Sequence, residues 1–487
     1  MLVSLSLLSA IASSVPPAPV PHQVPAAVAD VYAADAVKVD RLTIPFRLMG
    51  PAKIEEGERY PLVLFLHGAG ERGDDNTTQL KYLPEWMASD ERRASMPCFL
   101  LAPQCPTDLK WSDDAWGDAV SSPLSPEPTG PMRGAIEALC RVVAEHPVDL
   151  DRIYLTGLSM GGYGTFDLAT RHADWFAAAA PICGGGDETQ ADRLAGLPLS
   201  IWHGDRDDAV PVARSRAMVT ALWALEESPR YQELPGVGHN AWDVAYGPGG
   251  CLEWLFQQRR DPARRLDAAA RLMAKSLDPK ERVAFLGDSI TQAGNNPGGY
   301  VDRLRTAIKA ERADAVVIPA GISGHKVPDL LAREERDVRA QGATMVFTYI
   351  GINDVWHSQS GRGTPLKEYT AGLGTLMSTF EEELGAVNIV ATPTLIGERP
   401  DGDNDLDAML VGHVGAARAA GQVAGRTPCD LHAAFRDHNR IFNAAGKGRG
   451  CLTTDGVHLN QAGNILVATE AALAIRRAAL AREGASR

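Results

Sequence analysis

Short apolar runs alternate along this chain with stretches of helical period. PLVLFLHG, CFLLAPQ, RIYLTG, AAAAPICGG and LSIWHG have the length and continuity of strands buried on both faces. GAIEALCRVVAEH and ARSRAMVTALWALEE separate them with apolar residues at helical spacing. This alternation, from about Val37 to Phe256, predicts a largely parallel sheet with helices on both faces. Gln257 to Arg282 breaks the pattern: it is charged, favours helix, lacks strand signals and reads as a linker helix. A second series follows in VAFLGDS, DAVVIPAGI, ATMVFTYIGIND and AVNIVATPTLIG, closed by the amphipathic stretch AGNILVATEAALAIRRAALA. No sequence repeat relates the halves. The expected organisation is a leader over 1–36, an α/β domain over 37–256, a linker over 257–282 and a different α/β domain over 283–487.

Composition narrows the class. The chain has 487 residues, 45% hydrophobic and 22% charged, which fits a globular protein of more than one domain. Its net charge of −13 argues against nucleic acid as a partner. The apolar stretch Met1–Ala12 ends in Ala10-Ile11-Ala12, the form of a secretory cleavage site, and a Pro/Ala-rich segment follows. No Lys or Arg precedes Lys38, so a basic n-region is absent; a secreted or periplasmic location is still the expectation. No run reaches the length of a membrane span. The seven cysteines include no CxxC, so no zinc site is implied; Cys98/Cys105 and Cys429/Cys451 are candidate pairs in an exported protein, and the odd count leaves at least one thiol free.

Two clusters of residues carry chemistry. In RIYLTGLSMGGYGTF, Gly157-Leu158-Ser159-Met160-Gly161 stands between a strand and a helix, where a sharp turn exposes the serine hydroxyl. Upstream, His67-Gly68-Ala69-Gly70 lies at a strand end, where the Ala69 N–H can face an oxyanion; the Met160 N–H supplies a second donor. Downstream come Asp205, Asp207 and Asp208 in HGDRDDAVP, then His239 in GVGHNAW. Serine, aspartate and histidine follow one another in the chain order of α/β-hydrolases. Taken together, these blocks resemble the α/β-hydrolase superfamily, in the branch of secreted esterases and predicted peptidases that holds feruloyl and acetylxylan esterases and polyhydroxybutyrate depolymerases. That family's spacing selects Asp207, with Asp205 and Asp208 as alternatives. The resemblance implies that Ser159 is a nucleophile, His239 its base and Asp207 the group orienting the base.

The second cluster opens at Gly287-Asp288-Ser289 and continues through Gly321, Gly351-Ile352-Asn353-Asp354 and Asp455-Gly456-Val457-His458. In this order the blocks resemble the SGNH (GDSL) hydrolases. Ser289 is then the nucleophile, and Gly321 and Asn353 join the Ser289 N–H around an oxyanion. Asp455 and His458, three apart, are expected on one face of a single turn. Pro319 stands where many members carry Asn. Asp288 can serve merely as a turn cap, and Trp356 and His357 as core or pocket wall.

Other features are weaker. Of the nine tryptophans, Trp111, Trp116 and Trp242 lie near the first cluster, as a sugar-stacking rim or as plain core. Asp401, Asp403, Asp405 and Asp407 lack the calcium-loop spacing, because Leu406 occupies the turn-glycine position. No metalloprotease, phosphate-loop or dinucleotide motif is present, so no cofactor and no metal is expected. The expected architecture is α/β throughout: an α/β-hydrolase fold followed by a flavodoxin-like α/β/α sandwich. The expected activity is a serine esterase with two sites acting on acylated small molecules or polysaccharides, as acetyl or feruloyl esters. The alternatives are a first domain that is a serine peptidase, and one catalytic domain joined to a glycan-binding or scaffolding module.

Overall fold

The computed structural model describes residues 23–399 and 405–485. The leader stretch Met1–Ala12 lies outside these residues, as do Asp401 and Asp403. The first sheet has eight strands: β1 (Ala33–Val39), β2 (Leu42–Met49), β3 (Tyr60–Leu66), β4 (Phe99–Pro103), β5 (Val148–Leu158), β6 (Ala178–Ile182), β7 (Ser200–Gly204) and β8 (Arg230–Leu234). Their order is β1-β2-β4-β3-β5-β6-β7-β8, and from β4 to β8 all neighbours run parallel. The apolar runs of β4 and β6 are buried at every position, as sheet covered on both faces requires.

One boundary differs from the sequence reading. β1 begins at Ala33, inside the segment assigned to the leader, and pairs antiparallel with β2 across a turn at Asp40. Its alternating pattern buries Val37 against Ile44 and Phe46, so the hairpin belongs to the first domain's core.

The second sheet has five strands, β9 (Arg282–Gly287), β10 (Val316–Gly321), β11 (Met345–Tyr349), β12 (Val387–Ala391) and β13 (Thr427–Cys429). It is wholly parallel in the order β10-β9-β11-β12-β13. β10 is an edge strand, and Pro319 is exposed on it, a place where a missing N–H costs the ladder least.

The connector is a structural element in its own right. Asp261 caps the helix Pro262–Ser276 by accepting from Arg264 N–H at 3.1 Å. Leu266, Ala269, Ala270, Met273 and Ala274 of this helix are buried in the second domain's core, against the closing helix Gln461–Ala485. On its other side, Ala268 and Leu272 pack against Ala195 of the first domain. Apolar residues on two faces make it a wedge between the domains rather than a free linker.

The helix Leu431–Phe442 also joins the halves. Ile441 is buried in the first domain's core, Arg440 pairs with Glu137 at 2.9 Å, and Arg260 stacks on Phe442 at 3.9 Å. All seven cysteines are free, so neither candidate pair is bridged. Among the described residues no helix is long and apolar enough to cross a membrane.

Truncating a wedge-helix side chain distinguishes the two accounts of residues 257–282. Met273→Ala is expected to lower the unfolding free energy by about 2–5 kcal/mol in urea denaturation, because it empties space in a packed core; a passive connector would show almost no change.

Candidate active sites

At the first site the backbone sets the geometry. β5 ends at Leu158, and the helix Met160–Arg171 begins two residues later. Ser159 between them adopts φ 55° and ψ −118°, a strained conformation that lifts the side chain out of the turn. Its N–H donates to the Ile182 carbonyl at 2.9 Å, pinning the turn to β6. The helix can start so close to the sheet only because Gly161 has no side chain: a Cβ there would lie 1.8 Å from the Leu66 carbonyl oxygen.

Ser159 Oγ lies 2.9 Å from His239 Nε2, and His239 Nδ1 lies 2.7 Å from Asp207 Oδ2. Of the three candidate aspartates, Asp207 is the one that reaches the imidazole. Asp205 accepts from Gly236 N–H at 2.7 Å and is exposed, as is Asp208. The Asp207 side chain is fully buried. Burial alone would raise its carboxyl, but hydrogen bonds from His203, His239 and the Val210 N–H outweigh that and hold it well below the usual carboxylate range.

His203, in the HGDRDDAVP block, lies beneath this carboxylate. Its buried ring contacts Asp207 at 3.3 Å while its other nitrogen meets Ser215 Oγ at 2.8 Å. The Trp242 ring stands edge-on to His239 at 5.1 Å.

The turn carrying Ala69 is anchored by two residues that sequence reasoning did not assign. His67 Nε2 accepts from Cys105 N–H at 2.9 Å, so its proton sits on Nδ1, beside the Gly68 carbonyl at 2.6 Å. Burial pushes this imidazole down to about 4, so it is neutral at physiological pH. Trp111, fully buried, donates from its indole to the His67 carbonyl at 3.0 Å. That burial removes it from any exposed rim. The only sequence signal for this support was His67 itself, in HGAG. Ala69 and Met160 each begin a helical turn, where N–H groups have no partner four residues back. Among the described residues neither N–H donates to a protein acceptor, which leaves both available to an oxyanion.

At the second site, Ser289 opens the short helix Ser289–Gly294 directly after β9 and Asp288. Ser289 Oγ is 3.0 Å from His458 Nε2, and His458 Nδ1 is 2.7 Å from Asp455 Oδ2. The expected single turn of helix is absent: residues 451–458 form irregular bends. The two side chains still meet because Asp455 Oδ1 accepts from His458 N–H at 2.8 Å and Val457 N–H at 3.0 Å, folding the segment back on itself.

Gly321 ends β10 in register with Gly287, and a Cβ there would approach the Gln292 backbone nitrogen to 2.2 Å. Asn353 is buried, with its amide donating to the His325 carbonyl at 3.1 Å. The Trp356 ring is 6.1 Å from that of His458, as a wall of the site, and His357 beside it is half-buried. Arg333, unremarked in the sequence, is buried and donates to the Gly287 carbonyl at 2.8 Å and the Ala320 carbonyl at 2.9 Å. It clamps the ends of the two strands that deliver Ser289 and Gly321. Asp288 caps the helix through Ile290 N–H at 2.9 Å.

Known proteins match both halves. The model of the Dienelactone hydrolase family matches residues 112–242, and that of the GDSL-like Lipase/Acylhydrolase family matches 285–465. An acetylxylan esterase of Geobacillus stearothermophilus is 33% identical over 209 residues, which cover 39% of this chain and 90% of that protein. Poly(3-hydroxyalkanoate) depolymerase C of Paucimonas lemoignei is 30% identical over 161 residues, covering 25% of this chain and 39% of the depolymerase. The chain thus spans well under half of that relative. Among solved structures, a thermostable esterase shows 36% identity and a TM-score of 0.44, over 48% of this chain and 64% of that one. An acetyl xylan esterase shows 34% identity and a TM-score of 0.37, over 39% and 97%.

Asp288 gives the second site a measurable pH signature. Burial pushes its carboxyl up to about 7, and the Asp354 charge adds to the effect. The folded chain then keeps this proton to higher pH than the unfolded chain, so its contribution to stability falls as pH rises from about 4 towards neutrality. The unfolding free energy of the wild type relative to Asp288→Asn is expected to decline over that interval and to level off above it, as read by denaturant unfolding at a series of pH values.

Proposed function

The chain belongs to the α/β-hydrolase superfamily through its first domain and to the GDSL-like acylhydrolases through its second, and is a carboxylic ester hydrolase; from that premise we propose that it is a bifunctional serine esterase. The observation that carries this reading is the pair of separate serine–histidine–aspartate chains, each joined by contacts of 2.7 to 3.0 Å.

In the first domain Ser159 Oγ attacks the acyl carbon while His239 Nε2 takes its proton. Asp207 holds the imidazole tautomer, and the Ala69 and Met160 N–H groups receive the oxyanion. The alcohol leaves with the proton from His239. Water, deprotonated by the same imidazole, then releases the acid from Ser159. Ser289, His458 and Asp455 perform the same sequence in the second domain, with Gly321 and Asn353 at the oxyanion.

The substrate proposed is an acetyl or feruloyl ester on a polysaccharide. Support comes from the acetylxylan esterase similarity, which spans nearly all of that relative. Trp116 adds nothing to it: half-buried on the same core as Ala69, its ring is already met by Lys110 at 5.3 Å and Arg72 at 5.9 Å.

Export is part of the proposal, on the strength of the apolar Met1–Ala12 segment. In protein purified from its native cells the mature N-terminus is expected beyond Ala12; an intact Met1 on cytoplasmic protein refutes export.

Ser159→Ala, Ser289→Ala and the double variant, assayed on p-nitrophenyl acetate, methyl ferulate, acetylated xylan and a peptide, test the two-site reading. Each single variant is expected to keep part of the esterase activity and to take a fluorophosphonate at its remaining serine, and the double variant to lose at least about 10³-fold. Complete loss in one single variant, with its other serine unlabelled, leaves one catalytic domain. Peptide cleavage lost with Ser159 makes the first site a peptidase.

A further inference from the structure

Glu398 lies in the irregular segment after β12 and is wholly buried. Its Oε2 accepts from Cys451 N–H at 2.7 Å, and its Oε1 accepts from Leu452 N–H at 2.8 Å and Thr453 Oγ1 at 2.5 Å. The Thr453 N–H donates to the same oxygen. Four donors on one carboxylate, three of them consecutive backbone N–H groups, form a built anion cradle whose anion is this side chain.

The main chain at this point reinforces the arrangement. Gly397 N–H donates to the Gly456 carbonyl at 2.8 Å, and Glu398 N–H to the Gly448 carbonyl at 3.1 Å. Thr453 Oγ1 also accepts from Gly456 N–H at 3.0 Å, and Thr454 N–H donates to the His458 carbonyl at 2.8 Å. All but the Gly448 bond fall on the irregular stretch that carries Asp455 and His458, and Gly448 lies just before it. With no helix or strand of its own, that stretch owes its shape to what it is tied to.

We propose that Glu398 is a positioning residue for the second site: its carboxylate holds the 451–456 segment so that His458 Nε2 meets Ser289 Oγ. This deepens the two-site reading and rests on it.

The arrangement requires an acceptor at both oxygens and not just a polar side chain. A carboxylate is acceptor-only, whereas an amide at the same place turns one accepting oxygen into an NH2 that faces backbone donors. Glu398→Gln therefore keeps the volume and removes the fit. A displacement of the imidazole by about 1 Å is enough to cost about 10²-fold in turnover.

The test uses the full chain carrying Ser159→Ala, so that activity on p-nitrophenyl acetate comes from Ser289 alone. Adding E398Q is expected to lower kcat by about 10²-fold with little change in KM. In a chain that also carries His458→Ala, E398Q is expected to cause no further loss, since the group it positions is gone. The Ser289→Ala chain reports the first site and serves as the folding control, and E398Q should leave it active. Unchanged kcat in the Ser159→Ala chain, or an equal further loss without His458, overturns the proposal.

If E398Q also silences the first site, the chain has failed to fold and Thr453→Ala decides. A loss of kcat that disappears in the His458→Ala background supports the assignment, and full kcat overturns it. A Ser159→Ala chain that is inactive and unlabelled by fluorophosphonate at Ser289 removes the two-site reading, and this proposal with it, before Glu398 is altered.

Discussion

Both sites depend on the closeness with which a helix can begin over the end of a parallel strand. In the first domain the Leu66 carbonyl occupies the space a side chain at position 161 would need. In the second, the start of the Ser289 helix leaves no room for a Cβ at Gly321. Removing those side chains brings first-turn N–H groups, which have no helical partner, alongside a serine hydroxyl. A serine hydroxyl and backbone N–H groups are thereby brought together in each domain. The buried supports, His67 and Trp111 in one domain and Arg333 in the other, hold carbonyls or turns so that this crowding persists.

The two domains place their aspartate–histidine pairs by different means. Asp207 and His239 come from separate loops after β7 and β8, and the carboxylate is fully buried with a second histidine beneath it. Asp455 and His458 come from one short segment, and their side chains remain 45% and 34% exposed. Solvent weakens a contact of the second kind, so geometry there relies on the scaffold under the segment rather than on a dry environment. The second segment is tied down by the hydrogen bonds to Glu398, whereas Asp207 is held by His203 and the Val210 N–H.

Much of this was readable in the sequence because parallel strands buried on both faces are continuous apolar runs. Nine of the thirteen strands announce themselves in this way, and the chemistry sits at their C-terminal ends, where Gly-Ser and Gly-Asn motifs mark the turns. What escaped had mixed patterns. The β1–β2 hairpin alternates with charged residues and follows a Pro/Ala-rich stretch, and β13 is three residues long with a proline in the middle. The wedge helix looked like a connector because its apolar residues are divided between two faces. The roles of Arg333 and Glu398 escaped because the backbone groups they hold, Gly287 and Ala320 for one and residues 451–453 for the other, lie remote in the chain, and only tertiary contacts reveal them.

The side chain of Ile441 belongs by sequence to one domain and by packing to the other. Gene fusion commonly yields beads that can be cut apart or exchanged for homologous cassettes. Here either operation would leave an isoleucine in water, a penalty of about 1.5–3 kcal/mol, and would strip Glu137 of its cation. The pairing is thus part of the packing of each half, and neither is expected to keep its full stability when separated from the other.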